Sequence, residues 1–160
     1  MYEGNREIDS IVTGHKLTLK VREFLPDVTV KYNPRGVTSA GAGTIFMGKL
    51  GSTEEETMAI LSHEMGHLVI GEKFPKAPTQ GLRNLLRELD ANMAGEKFAL
   101  KWGVKDEYYA QTRRWVGHFV RSIRPKSLLL LPTVLEPHHV MALVRASVPS
   151  VPGPWEKPIW

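Results

Sequence analysis

Apolar and polar positions recur along this chain with two periods, and the points where the period changes mark the predicted elements. Between Asn5 and Phe24, Ile8, Ile11, Val12, His15 and Leu19 approximate the i, i+3, i+4, i+7 spacing of an amphipathic helix, which Pro26 ends. On this reading the stripe is the packing face, and His15, lying within it, is a packing or boundary residue. Val28-Thr29-Val30-Lys31-Tyr32 then alternates with a period of two, as a half-buried strand does, and Asn33-Pro34-Arg35-Gly36 supplies turn chemistry. Thr44-Ile45-Phe46-Met47 reads as a second short strand, entered through the turn residues Gly41-Ala42-Gly43 and closed by Gly48.

The helical period resumes over Thr53 to Ile70, where Met58, Leu61, Met65, Leu68 and Val69 form one stripe. It returns over Gly81 to Leu100, with Leu82, Leu85, Leu86, Leu89 and Met93 on one side, and over Lys105 to Ile123, with Tyr108, Tyr109, Trp115, Val116, Phe119 and Val120. Lys73 to Gln80, with two prolines, reads as a connecting loop. A last short helix is expected over Glu136 to Ser147, and the Pro/Trp-rich stretch from Val148 reads as an extended tail. Together these predict an α+β fold, mainly helical, with two to three strands beside the Thr53 to Ile70 helix: one domain over 1–148 and a tail over 149–160.

Composition narrows the chemistry. The chain of 160 residues has ordinary globular proportions, 42% hydrophobic and 24% charged, and no cysteine. Disulfides, thiol catalysis and Cys-ligated zinc are therefore excluded, and any metal has to be held by histidine and carboxylate. The amino-terminal residues contain no apolar run, and the longest one anywhere is Val140 to Val144, far below the roughly 20 residues that span a bilayer. The expectation is a soluble, cytoplasmic protein with no membrane partner. Charge is uneven: residues 73 to 126 hold twelve Lys/Arg against five Asp/Glu, and residues 1 to 72 hold seven against ten. The basic half admits an acidic partner or nucleic acid, but its charges are interleaved with leucines at helical spacing, which favours a solvated helix surface.

Within the Thr53 to Ile70 pattern stands His63-Glu64-Met65-Gly66-His67. Two histidines four residues apart on a helix project from one face one turn apart, so both can reach a single metal ion, with Glu64 between them placed to act on water at that ion. At about 100° per residue they lie nearly opposite the apolar stripe, so they face a cleft and not the main core. Ser52 with Glu55, or Thr53 with Glu56, offers a capping box, and the Glu54-Glu55-Glu56 run belongs to the helix start. Gly71 supplies a C-terminal stop. Gly66 costs about 1 kcal/mol relative to Ala in a helix interior, which a close neighbour would explain.

A catalytic zinc with an open position needs a third protein ligand. The acidic cluster shortly downstream, Arg87-Glu88-Leu89-Asp90-Ala91-Asn92, offers two candidates pointing about 200° apart. Glu88 shares a face with Asn92, which can orient its carboxylate, and is preferred; Asp90 is the alternative. His138-His139 follows a proline without a carboxylate partner and makes a weak second metal site. His118 and the tyrosines read as core or surface, with a donor for a developing oxyanion not selected among them. The glycines before Thr44 lack the GK[ST] of a phosphate loop.

The stretch Ile45 to Ala94 resembles the ImmA/IrrE family of HExxH zinc metallopeptidases. A strand, TIFMGKL, runs through GSTEEETMAI into LSHEMGHLVIG, and a second helix carries ELDAN, similar to the family's E-x-x-A-N. After the asparagine the family commonly shows an aromatic residue and alanine, as in N-x-F-A, whereas Asn92 is followed by Met93-Ala94-Gly95, with Phe98-Ala99 displaced. The resemblance implies a zincin-like domain with Zn2+ held by His63, His67 and Glu88, and Glu64 as general base. It also implies endopeptidase activity on a protein substrate, by the family's habit a DNA-binding helix-turn-helix repressor. In the expected mechanism an edge strand at Ile45 to Met47 holds an extended peptide along the cleft. Two other readings use the same residues: a regulatory protein-binding module with a structural metal, and a DNA-associated zinc protease.

Overall fold

The computed structural model describes residues 3–71, 77–122, 129–130, 135–137, 139–140 and 143. Four helices and a three-stranded mixed sheet make a mainly helical α+β fold: α1 (Glu3–Val21), β1 (Thr29–Tyr32), β2 (Ser39–Gly41), β3 (Thr44–Met47), α2 (Glu54–Ile70), α3 (Gln80–Lys101) and α4 (Lys105–Ser122). Of the expected last helix, one turn is described, with the Val140 N–H donating to the Glu136 carbonyl at 3.1 Å. Most of the rest of that helix, residues 73–76 of the Lys73 to Gln80 loop, His138 and the tail lie outside the described residues. No described helix is long and apolar enough to cross a membrane.

The sheet has the order β1-β3-β2, with β1 parallel to β3 and β2 antiparallel to it. β3 is thus the central strand, and the expectation that Ile45 to Met47 borders the cleft as an edge is corrected: β2 takes that place. Sequence reading missed β2 because its three residues, Ser-Ala-Gly, carry no strand-forming side chain. It exists because Ala42 and Gly43 both have positive φ, +52° and +73°, the signature of the two-residue turn that folds a hairpin back on itself.

α1 is rotated relative to the expectation. Ile8 and Ile11 are 59% and 67% exposed, Val12 and Leu19 about half, and His15 lies on the surface and not in a packing face. The buried side is instead Gly14, Leu17, Thr18 and Val21. The reason is the outer edge of β1, whose polar backbone groups need partners. The Val30 N–H donates to Thr18 Oγ1 at 2.8 Å, the Thr18 hydroxyl reaches the Val30 carbonyl at 3.1 Å, and Arg22 Nε donates to the Val28 carbonyl at 2.9 Å. Gly14 lets the helix come this close, since a Cβ there would sit 3.2 Å from the Val30 oxygen. One sheet edge is closed by a helix, and β2 forms the other.

α2 runs through the middle and buries both flanks. Its start is the expected Thr53 cap: Thr53 Oγ1 accepts from the Glu56 N–H at 3.2 Å, while the Glu56 carboxylate accepts from the Ser52 N–H at 2.8 Å. Its end is Gly71, at φ +67°, whose N–H donates to the His67 carbonyl. Met58, Leu61 and Met65 enter the main core with Leu17, Val21, Val30, Ile45, Met47, Phe98 and Tyr108, whereas Val69, read as part of that stripe, is about half exposed. A second cluster gathers Leu85, Leu86, Leu89 and Val116 beneath α3.

The crossing of α2 with α3 sets up the site. A Cβ on Gly66 would collide with the Ala91 carbonyl and the Gly95 N–H, and one on Gly95 would collide with the Ser62 carbonyl. Ser62/Gly66 and Ala91/Gly95 are each spaced four apart, so two stripes of small residues let the backbones touch. The neighbouring stripes, His63/His67 and Glu88/Asn92, are thereby brought within side-chain reach of each other.

Candidate metal centre

His63 Nε2 and His67 Nε2 lie 2.8 and 3.2 Å from one oxygen, Oε2, of Glu88. One ligand atom from each residue falls within 4.8 Å of the others, a grouping that can hold a metal ion. Tetrahedral coordination with ligand bonds of about 2.0–2.2 Å separates neighbouring ligand atoms by roughly 3.3 Å, and the 2.8 and 3.2 Å separations of the two histidines from Glu88 are close to that spacing. All three expected ligands are brought together.

The alternative third ligand is committed elsewhere. Asp90 Oδ1 accepts from His139 Nε2 at 2.8 Å, and His139 Nδ1 in turn accepts from the Glu136 N–H at 3.3 Å. Both nitrogens of His139 are used, so the second metal site considered at His138-His139 is not formed by the described member of the pair.

Asn92 differs from its expected role. Its Oδ1 accepts from His63 Nδ1 at 3.2 Å, so it orients a histidine and not the Glu88 carboxylate. The same oxygen accepts from the Thr112 hydroxyl at 3.0 Å, and the Asn92 backbone carbonyl accepts from the Tyr108 hydroxyl. Tyr108 is therefore spent as a buried support, and Tyr109 belongs to the main core; neither faces the cleft as an oxyanion donor. The Trp115 ring, stacked edge-on to Phe119, lies 5.9 Å from the His63 ring and walls it on the α4 side.

Glu64 opens onto the same space as His67 and Glu88. A polar cleft of about 340 Å³ is lined by Thr38, Ser39, Ala40, Glu64, His67, Arg87 and Glu88. β2 and the residue before it thus form one wall, and Glu64, His67, Arg87 and Glu88 form the other. Burial raises the Glu64 pKa above 4.5, and the adjacent histidines only partly offset it. Burial would lower the His63 pKa, but the hydrogen bond and charge of Glu88, the charge of Glu64 and the Asn92 bond outweigh it, and His63 is raised above 6.5. Glu88 is pushed up by burial and down further by hydrogen bonds and charge from His63 and His67, ending far below 4.5. Without a metal, a proton on His63 takes the place of the cation.

Sequence reading did not single out Thr112, Arg87 or β2. Arg87 adjoins Glu88, and its place between the core residue Leu86 and a ligand is the one signal that it borders the cleft. Thr112 had none, since its partner is 20 residues away on another helix. No protein-family model, no curated protein and no solved structure matches this chain.

Proposed function

We propose that this protein is a zinc-dependent endopeptidase of the ImmA/IrrE kind. The observation that carries the reading is that Glu64 lines the same cleft as His67 and Glu88, which gather with His63 into one donor set, and that an edge strand forms the opposite wall. Two neutral nitrogens and one carboxylate suit zinc, leave a coordination position for water or substrate, and match the sequence resemblance. Bound there, zinc supplies a Lewis acid that polarises a peptide carbonyl and lowers the pKa of water towards about 7.

The chain's own groups do the rest. β2, with its outer edge on the cleft, offers backbone pairing to an extended peptide. Glu64 takes the proton of the attacking water and delivers it to the departing amine. A carboxylate whose pKa burial has raised is suited to both halves of that transfer. Arg87 adds a cation to a cleft that otherwise carries two carboxylates. A DNA-binding repressor as substrate rests on the resemblance.

The test is to incubate zinc-loaded wild-type and Glu64→Gln proteins with host lysate and compare newly formed amino termini. Wild-type protein should generate a small set of new termini; Glu64→Gln should keep its zinc and lose cleavage by roughly 10²–10⁴-fold; His63→Ala should lose both. Cleavage by Glu64→Gln at the wild-type rate would overturn the assignment of the base. Tight complex formation by wild-type protein without new termini would replace the peptidase with a binding module.

A further inference from the structure

We infer that Thr112, on α4, is a positioning residue for the metal centre: it fixes the Asn92 amide with its oxygen toward His63, and so holds His63 in the tautomer whose Nε2 is free for metal. The inference deepens the metal-centre reading above and depends on it. It rests on a buried polar relay across three helices. His63, Asn92, Tyr108 and Thr112 are 8%, 5%, 1% and 2% exposed, so their polar atoms must satisfy one another.

An asparagine amide has nearly the same shape after a half-turn that exchanges its oxygen and nitrogen. What selects the orientation is the set of donors and acceptors around it. With the oxygen inward, Oδ1 accepts from both Thr112 Oγ1 at 3.0 Å and His63 Nδ1 at 3.2 Å, one bond per lone pair. His63 then carries a proton on Nδ1, which leaves Nε2, now 2.8 Å from Glu88 Oε2, as the nitrogen that a metal would take.

The opposite orientation forms only when the Thr112 hydroxyl withdraws its proton from Asn92. The Thr112 hydroxyl has a second acceptor, the Tyr108 carbonyl at 2.9 Å. If its single proton turns there, its oxygen accepts from an inward-facing amide NH₂. His63 must then accept at Nδ1 and carry its proton on Nε2, the atom the metal needs. The Thr112 hydroxyl thus couples to the His63 tautomer through one amide, and the two settings exclude each other. The Tyr108 hydroxyl, bonded to the Asn92 backbone carbonyl, anchors the amide's base from the same helix.

The test measures Zn2+ affinity by competition with a chromogenic chelator, alongside thermal unfolding of the metal-free proteins and the imidazole nitrogen signals of His63 by NMR. Thr112→Val should weaken zinc binding about tenfold, in the 10–100-fold range typical of residues that orient a ligand, and should mix the two His63 tautomers. Thr112→Ser should bind as wild type. Asn92→Asp accepts with either oxygen, so adding Thr112→Val to it should produce no further loss. Zinc affinity within twofold of wild type in Thr112→Val, an equal loss in Thr112→Ser, or an undiminished loss in the Asn92→Asp background would each overturn the inference. Thr112→Ala substitutes if the valine variant does not fold. Wild-type protein that binds no zinc would instead refute the metal-centre reading itself, a separate result.

Discussion

His139 Nε2 donates to Asp90 Oδ1 at 2.8 Å, which commits Asp90 to the carboxyl-terminal part of the chain while Glu88, two residues earlier, meets both histidines of α2. The two acids of one helical segment therefore have separable tasks. Asp90→Asn should bind zinc with wild-type stoichiometry and lose about 1–2 kcal/mol of stability, the scale of a hydrogen bond to a charged group at a partly exposed site. Glu88→Ala should fold but lose stoichiometric zinc. Metal analysis of the dialysed proteins with urea unfolding separates the two, and loss of zinc in Asp90→Asn would show that the acids had been assigned the wrong way round.

Glycines inside helices make a second prediction whose sign is diagnostic. Replacing an interior helical Gly by Ala ordinarily stabilises by about 1 kcal/mol. At Gly66 and Gly95 the new methyl would enter a backbone carbonyl of the facing helix, so either change should destabilise by about 3 kcal/mol or more and, by spreading α2 from α3, weaken zinc binding too. Gly117 on α4 meets only the end of the Arg121 side chain, at 3.7 Å, and Gly117→Ala should stabilise by about 0.5–1 kcal/mol. Urea midpoints of the three variants decide the point. A stabilised Gly66→Ala would mean that the helices do not touch there.

The rotation of α1 yields a third. Its most regular apolar stripe faces outward, so Ile8→Gln and Ile11→Gln should each change stability by no more than about 0.5 kcal/mol. Thr18→Val keeps the shape but removes the hydroxyl that pairs the β1 edge, and should cost about 1–3 kcal/mol by leaving the Val30 N–H buried without an acceptor. If the isoleucine variants were the destabilised ones, α1 would pack by its stripe after all.

These cases show what periodicity does and does not carry. The α2 boundaries were legible because Thr53, Glu56 and Gly71 act locally, within hydrogen-bond reach of their own turn. The pairing of His63, His67 and Glu88 was legible because spacing on each helix fixes which side chains share a face. Which face of α1 is buried was not legible, because it depends on unpaired groups at a strand edge twelve residues away. β2 has no strand-forming side chain and is held by turn conformation and by pairing with β3. The partner of Asn92 was set by how closely α2 and α3 cross, so a local reading assigned it to Glu88, its neighbour on the same helix.

Stability against pH tests the site as a whole. The folded pKa of His63 is raised above 6.5, so its contribution is fully present below pH 6.5 and is lost as pH rises through the folded value. Glu88 is lowered, so its contribution is present above pH 4.5 and lost as pH falls towards its folded value. The raised Glu64 acts against stability as pH climbs past 4.5, because ionising it in the buried site is unfavourable. The metal-free protein should therefore be most stable at about pH 5–6 and lose stability towards pH 8. Zinc must displace the His63 proton, so its stabilisation should be large at neutral pH and small at pH 5.5. At a free concentration about 100 times Kd the gain is about 2.7 kcal/mol, or roughly 5–10 °C in melting temperature for a chain of this size. Thermal unfolding from pH 5 to 8, with chelator and with zinc, measures both curves. A metal-free melting temperature that rises from pH 6 to 8, or an equal zinc effect at pH 5.5 and 7.5, would mean that these three groups do not form the proton-linked centre.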